Sequence, residues 1–443
     1  MVDLSPEWWA FLMFGSLLFG LFLGHELAFV LGGLAVIFGL IGWGPTCFSM
    51  FINRTYGVMD NFVLTAIPLF IFMAQILTRS RIADELFDVL RYFFGPVRGG
   101  TAIAVVLFAT VFAACTGVVG ASVVTMGLMG LPVMLRHGYD KRLSCGVICA
   151  GGSLGILIPP SIMLIVMGSE SGISVGKLYA AAIIPGLIFS GLYIIYILIK
   201  SYIKPDVAPA LSPEERGSVS KWQLSIMALK SLVPPVLLIA GVLGTIFTGT
   251  ATPTEAAAVG ALVALLLTVA YRRFSWRDLY ESMIDTAKTT SMALIILVGA
   301  TCWTGVFLGI GGGGAVTNLI LGLGMGKWGT YFVMMVVLFV LGMFIDWMAI
   351  VMICFPIFLP IAKELGFDML WFVASCAVMM QDCFLTPPFG YALFFLRGVA
   401  PEEISTGDIF RGAVPFWELM EVGLIICVLF PQTITWLPSV LVK

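Results

Sequence analysis

Two stretches of this chain carry the same punctuation at the same spacing. Pro132, Gly138-Tyr139-Asp140 and Pro159-Pro160 in the first half are matched by Pro360, Gly366-Phe367-Asp368 and Pro387-Pro388 in the second, each member following its counterpart by 228 residues. Downstream, Ile173-Ser174, Gly176, Leu178-Tyr179 and Ala182 recur as Ile404-Ser405, Gly407, Ile409-Phe410 and Ala413, now 231 residues apart. Two strings repeated in one order mark an internal duplication. The paired prolines lie in long apolar runs, where each removes a backbone N–H and clashes with the preceding turn. In hydrocarbon, the freed backbone groups are tolerated only where they are buried in protein or line a cavity. A broken helix at the corresponding place in each of two repeats points to the binding site of a secondary transporter.

Composition sets the class. Hydrophobic residues make up 60% of the chain, charged residues 11%, and the mean hydropathy is +1.07, which excludes an ordinary soluble domain. The net charge of -2 offers no basic face for nucleic acid, and 443 residues suit about ten spans of ~20 residues in one membrane domain. The nine cysteines include no Cys-x-x-Cys pair and have no accompanying His cluster, so they read as buried, inert thiols. The first apolar run, Trp8 to Gly24, follows Asp3 and Glu7 and lacks the basic start of a signal peptide; it is expected to be a span.

Apolar runs bounded by charge or turn residues predict spans near 8–24, 28–44, 61–78, 143–166, 179–199, 227–247, 254–270, 288–309, 369–396 and 411–431. The stretches 101–134 and 329–362 are too long for simple spans and are interrupted midway, by Thr116-Gly117-Val118-Val119-Gly120-Ala121-Ser122 and by Asp346-Trp347. Each is expected to be a re-entrant hairpin with its tip buried in protein. With the N-terminus outside, only Arg54, Lys177, Lys327, Lys363 and Lys443 of the 23 basic residues then fall outside. That asymmetry is lost if either hairpin crosses fully. The predicted fold is therefore an all-α polytopic membrane protein of two inverted repeats, residues 1–200 and 224–443, each with five spans, one hairpin and one proline-broken helix. The first repeat has hairpin 101–134 and broken helix 143–166; the second has hairpin 329–362 and broken helix 369–396. Residues 201–223, with Pro205, Pro209, Pro213 and Glu214-Glu215-Arg216, read as a cytoplasmic connector. Amphipathic stretches at 81–98 and 274–287 are expected along the cytoplasmic interface, with Arg79, Arg81, Arg272 and Arg273 at lipid headgroups.

Thr116, Gly120, Ser122 and Thr125 come from the first hairpin tip; Ser153, Gly155, Pro159, Pro160 and Ser161 come from the first broken helix. Hydroxyls and unwound carbonyls are the oxygen ligands an alkali cation accepts, and half-helix ends add directed dipoles. The same small residues also let membrane helices pack closely. The second half supplies Asp346 at its tip and Gln381, Asp382 and Thr386 before Pro387-Pro388. Carboxyl groups at membrane depth are functional candidates, or else they solvate a cavity edge or bond a backbone amide. Glu255, in Thr252-Pro253-Thr254-Glu255, stands in the first turn of a predicted helix and suits a capping role.

With these residues assembled, the chain resembles the large membrane subunit of tripartite ATP-independent periplasmic (TRAP) transporters along almost its whole length. The motifs that carry the resemblance are Leu157-Ile158-Pro159-Pro160-Ser161, Gly249-Thr250-Ala251-Thr252-Pro253-Thr254-Glu255-Ala256, Phe384-Leu385-Thr386-Pro387-Pro388-Phe389-Gly390 and Ala66-Ile67-Pro68-Leu69-Phe70. The resemblance implies a bacterial inner-membrane importer of organic acids driven by a sodium gradient. It also implies an elevator motion, a small four-helix membrane subunit and a soluble periplasmic substrate-binding protein as partners. Both termini would be periplasmic, and sodium ions would be the only bound cofactor. Family sodium sites map onto Ser122, Thr125 and Ser153 in one half and Asp346, Gln381 and Thr386 in the other. The chain departs from the family at Met380 and Gln381, where many members have Asn, and at Asp382, where they have a small residue.

Two other functions are open on sequence alone: a self-sufficient ion-coupled anion transporter of the same superfamily, and an intramembrane aspartyl protease using Asp346 and Asp382. Neither aspartate lies in a Gly-x-Gly-Asp setting. The inverted topology is tested by thiol labelling in a background without native cysteines. Lys177→Cys and Lys363→Cys are expected to label from the periplasm and Arg216→Cys only from the cytoplasm; labelling of Lys363→Cys from the cytoplasm would turn a hairpin into a span.

Overall fold

The structure, a computed structural model, describes residues 4–80, 82–212, 215 and 221–442, and these form helices joined by turns, with no strand among them. Asp3, Arg81, Pro213, Glu214, Arg216 and Lys443, used above for topology and the connector, lie outside the described residues. Nine helices among the described residues are long and apolar enough to cross a membrane, and the chain is an all-α polytopic membrane protein.

The first half runs α1 (Pro6–Phe22), α2 (Leu27–Trp43), α3 (Cys47–Met59), α4 (Ala66–Ser80) and α5 (Ile82–Phe94). It continues through a helical hairpin, α6 (Gly100–Thr116) and α7 (Val119–Arg136), then α8 (Lys141–Ser153), α9 (Ile162–Ser171) and the long α10 (Val175–Ile203). The second half runs α11 (Lys221–Ile239), α12 (Pro253–Ala270), α13 (Trp276–Gly309) and α14 (Gly312–Gly322). A second hairpin follows, α15 (Gly326–Gly342) and α16 (Trp347–Glu364), then α17 (Met369–Met379), α18 (Tyr391–Val399), the long α19 (Thr406–Leu429) and α20 (Gln432–Leu441). Hairpin, interrupted helix and long helix thus occur in the same order in both halves.

The repeated Gly-aromatic-Asp string does the same local work twice. Gly138 and Gly366 adopt left-handed φ of +76° and +69°, which an L side chain resists. Each closes its hairpin's second helix: Tyr139 N–H donates to Met134 O at 3.0 Å, and Phe367 N–H to Ala362 O at 3.0 Å. The aspartate then caps the next helix. Asp140 accepts from Leu143 N–H at 2.9 Å and Asp368 from Trp371 N–H at 2.8 Å, each cap being worth ~1 kcal/mol. Ser174 and Ser405, from the second repeated string, immediately precede α10 and α19.

Two helices lie outside the predicted spans, and one expectation changes. Residues 47–59 form α3, packed against α13, although Asn53-Arg54-Thr55 breaks the apolar pattern there. The glycine run at 311–314 opens α14, because a Cβ on Gly312 would lie 2.5 Å from the Phe307 ring; glycine lets the chain fold back tightly on α13. Finally, the amphipathic stretch 274–287 is not separate from the span after it, since α13 runs unbroken for 34 residues. Two of the arginines assigned above to headgroups pair with acids instead: Arg79 with Glu281 and Asp285 of α13 at 2.5 Å each, and Arg273 with Glu85 of α5 at 2.5 Å.

The connector is pinned to the base of the first hairpin. Gly99 N–H donates to Ala208 O at 2.9 Å, Asp140 N–H to Val207 O at 2.9 Å, and Leu211 N–H to Gly95 O at 3.0 Å. The two halves meet most closely where α8 crosses α19. A Cβ on Gly412 would sit 2.2 Å from the Arg142 carbonyl oxygen, so only glycine lets these backbones touch. Gly412→Ala is expected to lower stability by ~1–3 kcal/mol, whereas Gly191→Ala, with nothing within 4 Å, should be neutral or stabilising. Thermal unfolding in lipid nanodiscs checks both, and equal midpoints for the two variants would contradict the packing argument.

Candidate functional site

In the first half, the hairpin tip seals the break in the helix that follows. Thr116 ends α6, and Gly117 turns the chain with φ +63°; a Cβ there would lie 2.6 Å from the Pro160 carbonyl oxygen. Across the tip, Ser122 Oγ lies 3.1 Å from Thr116 Oγ1 and donates to Val118 O at 3.2 Å, while Thr116 donates to Phe112 O at 3.1 Å. These oxygens face the short 3₁₀ turn Leu154–Ile156, where a Cβ on Gly155 would be 3.3 Å from Ser122 Oγ and 3.4 Å from Val118 O. Thr116 and Ser122 are fully buried, and the buried Thr125 hydroxyl has no hydrogen-bond partner. Ser153 and Ser161 are committed locally: Ser153 donates to Ala150 O at 2.8 Å, and Ser161 donates to Ile156 O and caps α9 by accepting from Leu164 N–H at 3.4 Å. Pro159-Pro160 is a cis bond, as is Pro387-Pro388.

The second half repeats the arrangement with different side chains. The tip, Met343 to Asp346, meets the 3₁₀ turn Asp382–Phe384: a Cβ on Gly342 would overlap Cys383 Sγ, and Phe389 N–H donates to Met343 O at 3.2 Å. Asp346 caps α16 by accepting from Met348 N–H at 3.1 Å. Gln381, the residue equivalent to Ser153, is fully buried, and neither its amide oxygen nor its nitrogen has a partner. A buried amide without partners is costly, so this is a place where a ligand would repay desolvation. Thr386 donates to Asp382 O at 2.7 Å.

Asp382 does not join this group's cavity. Its carboxyl, 1% exposed, lies against that of Glu421 on α19. The spacing argument does not single out Glu421, although an acid inside an apolar span is itself a signal. Thr252-Pro253-Thr254-Glu255 lies elsewhere and forms a capping box on α12, with the Glu255 carboxylate accepting from Thr252 N–H at 2.7 Å. No cavity residue comes from it.

Between the two tips and a wall made by α4 and α13 lies a cavity of about 490 Å³. Equivalent residues of the two halves line it: Val118 and Asp346, Val119 and Trp347, Gly120 and Met348, Ile156 and Phe384. The first helical turns of α7 and α16 therefore both open onto it, presenting the positive ends of two helix dipoles. Among the described residues, Asp346 is its one acidic lining residue, and no Lys, Arg or His lines it. Thr125 is the one expected cation ligand besides Asp346 that reaches the cavity; Ser122, Ser153, Gln381 and Thr386 lie behind it. The wall contributes Ile67, Ile71, Gln75 and Thr78 from α4 and Thr289 and Ile296 from α13, none of which the repeat pattern marks.

Residues 12–433 match the model of the family described as tripartite ATP-independent periplasmic transporter, DctM component. The C4-dicarboxylate TRAP transporter large permease protein DctM of Pseudomonas aeruginosa is 32% identical over 408 residues, covering 92% of this chain and 93% of that protein. The ectoine/5-hydroxyectoine TRAP transporter large permease protein UehC of Ruegeria pomeroyi is 34% identical over 380 residues, covering 83% of this chain and 84% of that one. Among solved structures, the Alcanivorax borkumensis YdaH transporter superposes with a TM-score of 0.62 over 97% of this chain and 100% of that chain; at 14% identity the likeness is one of fold.

Asp346→Asn separates the two roles open to that residue. The amide oxygen still accepts from Met348 N–H, so the cap survives, while the charge at the cavity is lost. The variant is expected to keep its thermal stability within about 1 kcal/mol and to need more sodium for half-maximal uptake. Parent-like uptake across a sodium titration would leave Asp346 a capping residue only.

Proposed function

The chain belongs to the family of DctM components of tripartite ATP-independent periplasmic transporters, and we propose that it is the permease subunit of a sodium-coupled importer of small organic acids. It is the large membrane subunit of such a transporter, and its relatives are permeases, not peptidases. The observation that carries the finer reading is the cavity lined by equivalent residues of two hairpin tips and two broken helices, closed by a wall of different origin. In this reading the hairpins and broken helices slide as one body against α4 and α13, carrying the solute past the wall. A periplasmic binding protein delivers the solute, and a small four-helix subunit completes the assembly in the bacterial inner membrane, with both termini periplasmic.

Sodium fits the first tip on chemical grounds. Thr116, Ser122 and Thr125 offer neutral hydroxyl oxygens, the Val118 carbonyl adds a further oxygen, and Gly155 in the break at Leu154–Ile156 lets that backbone approach Ser122 and Val118. At the second tip, Asp346, Gln381 and Thr386 supply carboxylate, amide and hydroxyl oxygen. A carboxylate or sulfonate meets no basic side chain among the described residues of the cavity. Its charge would be balanced by amides at the starts of α7 and α16 and by the bound cations. Coupling follows, since a cation that completes the tips also neutralises the solute.

A self-sufficient transporter of the same superfamily would share this geometry, and uptake by the chain alone in liposomes would favour it. The main test uses proteoliposomes containing the complete complex, with an imposed sodium gradient and then with a proton gradient only. Uptake is expected with sodium and to fall to background without it, and Ser122→Ala and Thr125→Val should weaken the sodium dependence while expression persists. Full uptake in sodium-free buffer would overturn the assignment.

A further inference from the structure

We infer that Gln75 and Thr289 form the solute-recognising patch of the cavity wall, hydrogen-bonding the oxygen-bearing far end of a small organic acid whose carboxylate faces the hairpin tips. The inference rests on reading this cavity as the transport site.

Ile67, Ile71, Ala74, Gln75 and Thr78 fall on one face of α4 at helical spacing, and Thr289, Met292, Ala293 and Ile296 do so on α13; all of them line the cavity. The wall is therefore apolar except at one end. The Thr78 hydroxyl there is spent on its own helix, donating to Ala74 O at 2.8 Å. Gln75 and Thr289 make no hydrogen bond within the described protein. An amide offers two donors and a carbonyl acceptor and a hydroxyl offers one donor, so this unspent capacity faces the cavity.

Helix geometry places the two side by side. Arg79 on α4 bonds Asp285 on α13 at 2.5 Å, which fixes the level at which the helices meet. Gln75 lies one turn before Arg79 and Thr289 one turn after Asp285, both on the cavity side of that ion pair. The patch thus joins one residue from each wall helix, opposite the helix starts at Val119 and Trp347. A solute with a single carboxylate and an apolar tail would leave Gln75 and Thr289 unpaired, whereas a second carboxylate, carbonyl or hydroxyl would satisfy them. A site built to hydrogen-bond such a group rejects the analogue lacking it.

The test uses the purified full chain in lipid nanodiscs with sodium, titrated with succinate and with butyrate, the acid of similar length lacking the second carboxylate. The readout is the thermal unfolding midpoint. Succinate is expected to raise the midpoint at concentrations where butyrate does not. Gln75→Ala and Thr289→Val are each expected to weaken the succinate response about tenfold, the loss of one hydrogen bond to a charged group, and to erase the preference over butyrate. Their own sodium response should stay at the parent's midpoint concentration, because neither residue touches the tips' oxygen clusters. Gln75→Glu serves as the isosteric comparison and should abolish the succinate response by repulsion. A succinate preference that persists in both the Ala and Val variants overturns the inference, as does a sodium-responsive parent that ignores both acids. A parent that does not respond to sodium at all would instead overturn the sodium reading.

Discussion

Proline breaks inside an apolar chain leave backbone amides and carbonyls that hydrocarbon cannot satisfy, and this one deficit organises the molecule. Each break is covered by the tip of the hairpin that precedes it. The cover needs close approach, and glycine supplies it: Gly117 against the Pro160 carbonyl, Gly155 against Ser122 Oγ and the Val118 carbonyl, Gly342 against Cys383 Sγ. Once tip and break touch, the hydroxyls and carbonyls that relieve the deficit are concentrated in two places. The cavity lies in front of both.

Charge is placed with equal economy. Asp346 is held at the cavity by its own helix start, while Asp382, beside the second break, lies against Glu421 and outside the cavity lining. Arg79 and Arg273 are taken up by Glu85, Glu281 and Asp285, which tie α4, α5, α13 and the turn before α13 together. Among the described residues no basic side chain lines the cavity, so its polar character comes from helix starts, hydroxyls, the Gln75 amide and the Asp346 carboxyl.

Much of this was legible in the sequence because duplication states the fold twice. The Gly-aromatic-Asp strings marked the repeat in the sequence, and the structure shows what they do, turn and cap; the stretches interrupted at Gly117 and Asp346, expected to be hairpins, are helical pairs, α6–α7 and α15–α16. The features that escaped are those that depend on tertiary contact. α3, whose middle is polar, packs against α13, and α14 starts within a glycine run that the nearby Phe307 and Leu308 side chains explain. Gln75 and Thr289 carry no motif. They become notable only when two helices far apart in sequence are laid against the tips. Of the expected site residues, the sequence grouped them by repeat, but it could not separate Thr125 and Asp346, which reach the cavity, from Ser153, Ser161 and Asp382, which do not.

The account turns on cations occupying the oxygen clusters between each tip and its break. Anomalous scattering from crystals of the protein in which thallium replaces sodium tests this most directly. The account predicts one peak beside Thr116, Ser122 and the Val118 carbonyl and a second beside Gln381 and Thr386. Peaks absent from both clusters, with the ion found only between Asp382 and Glu421, would contradict it.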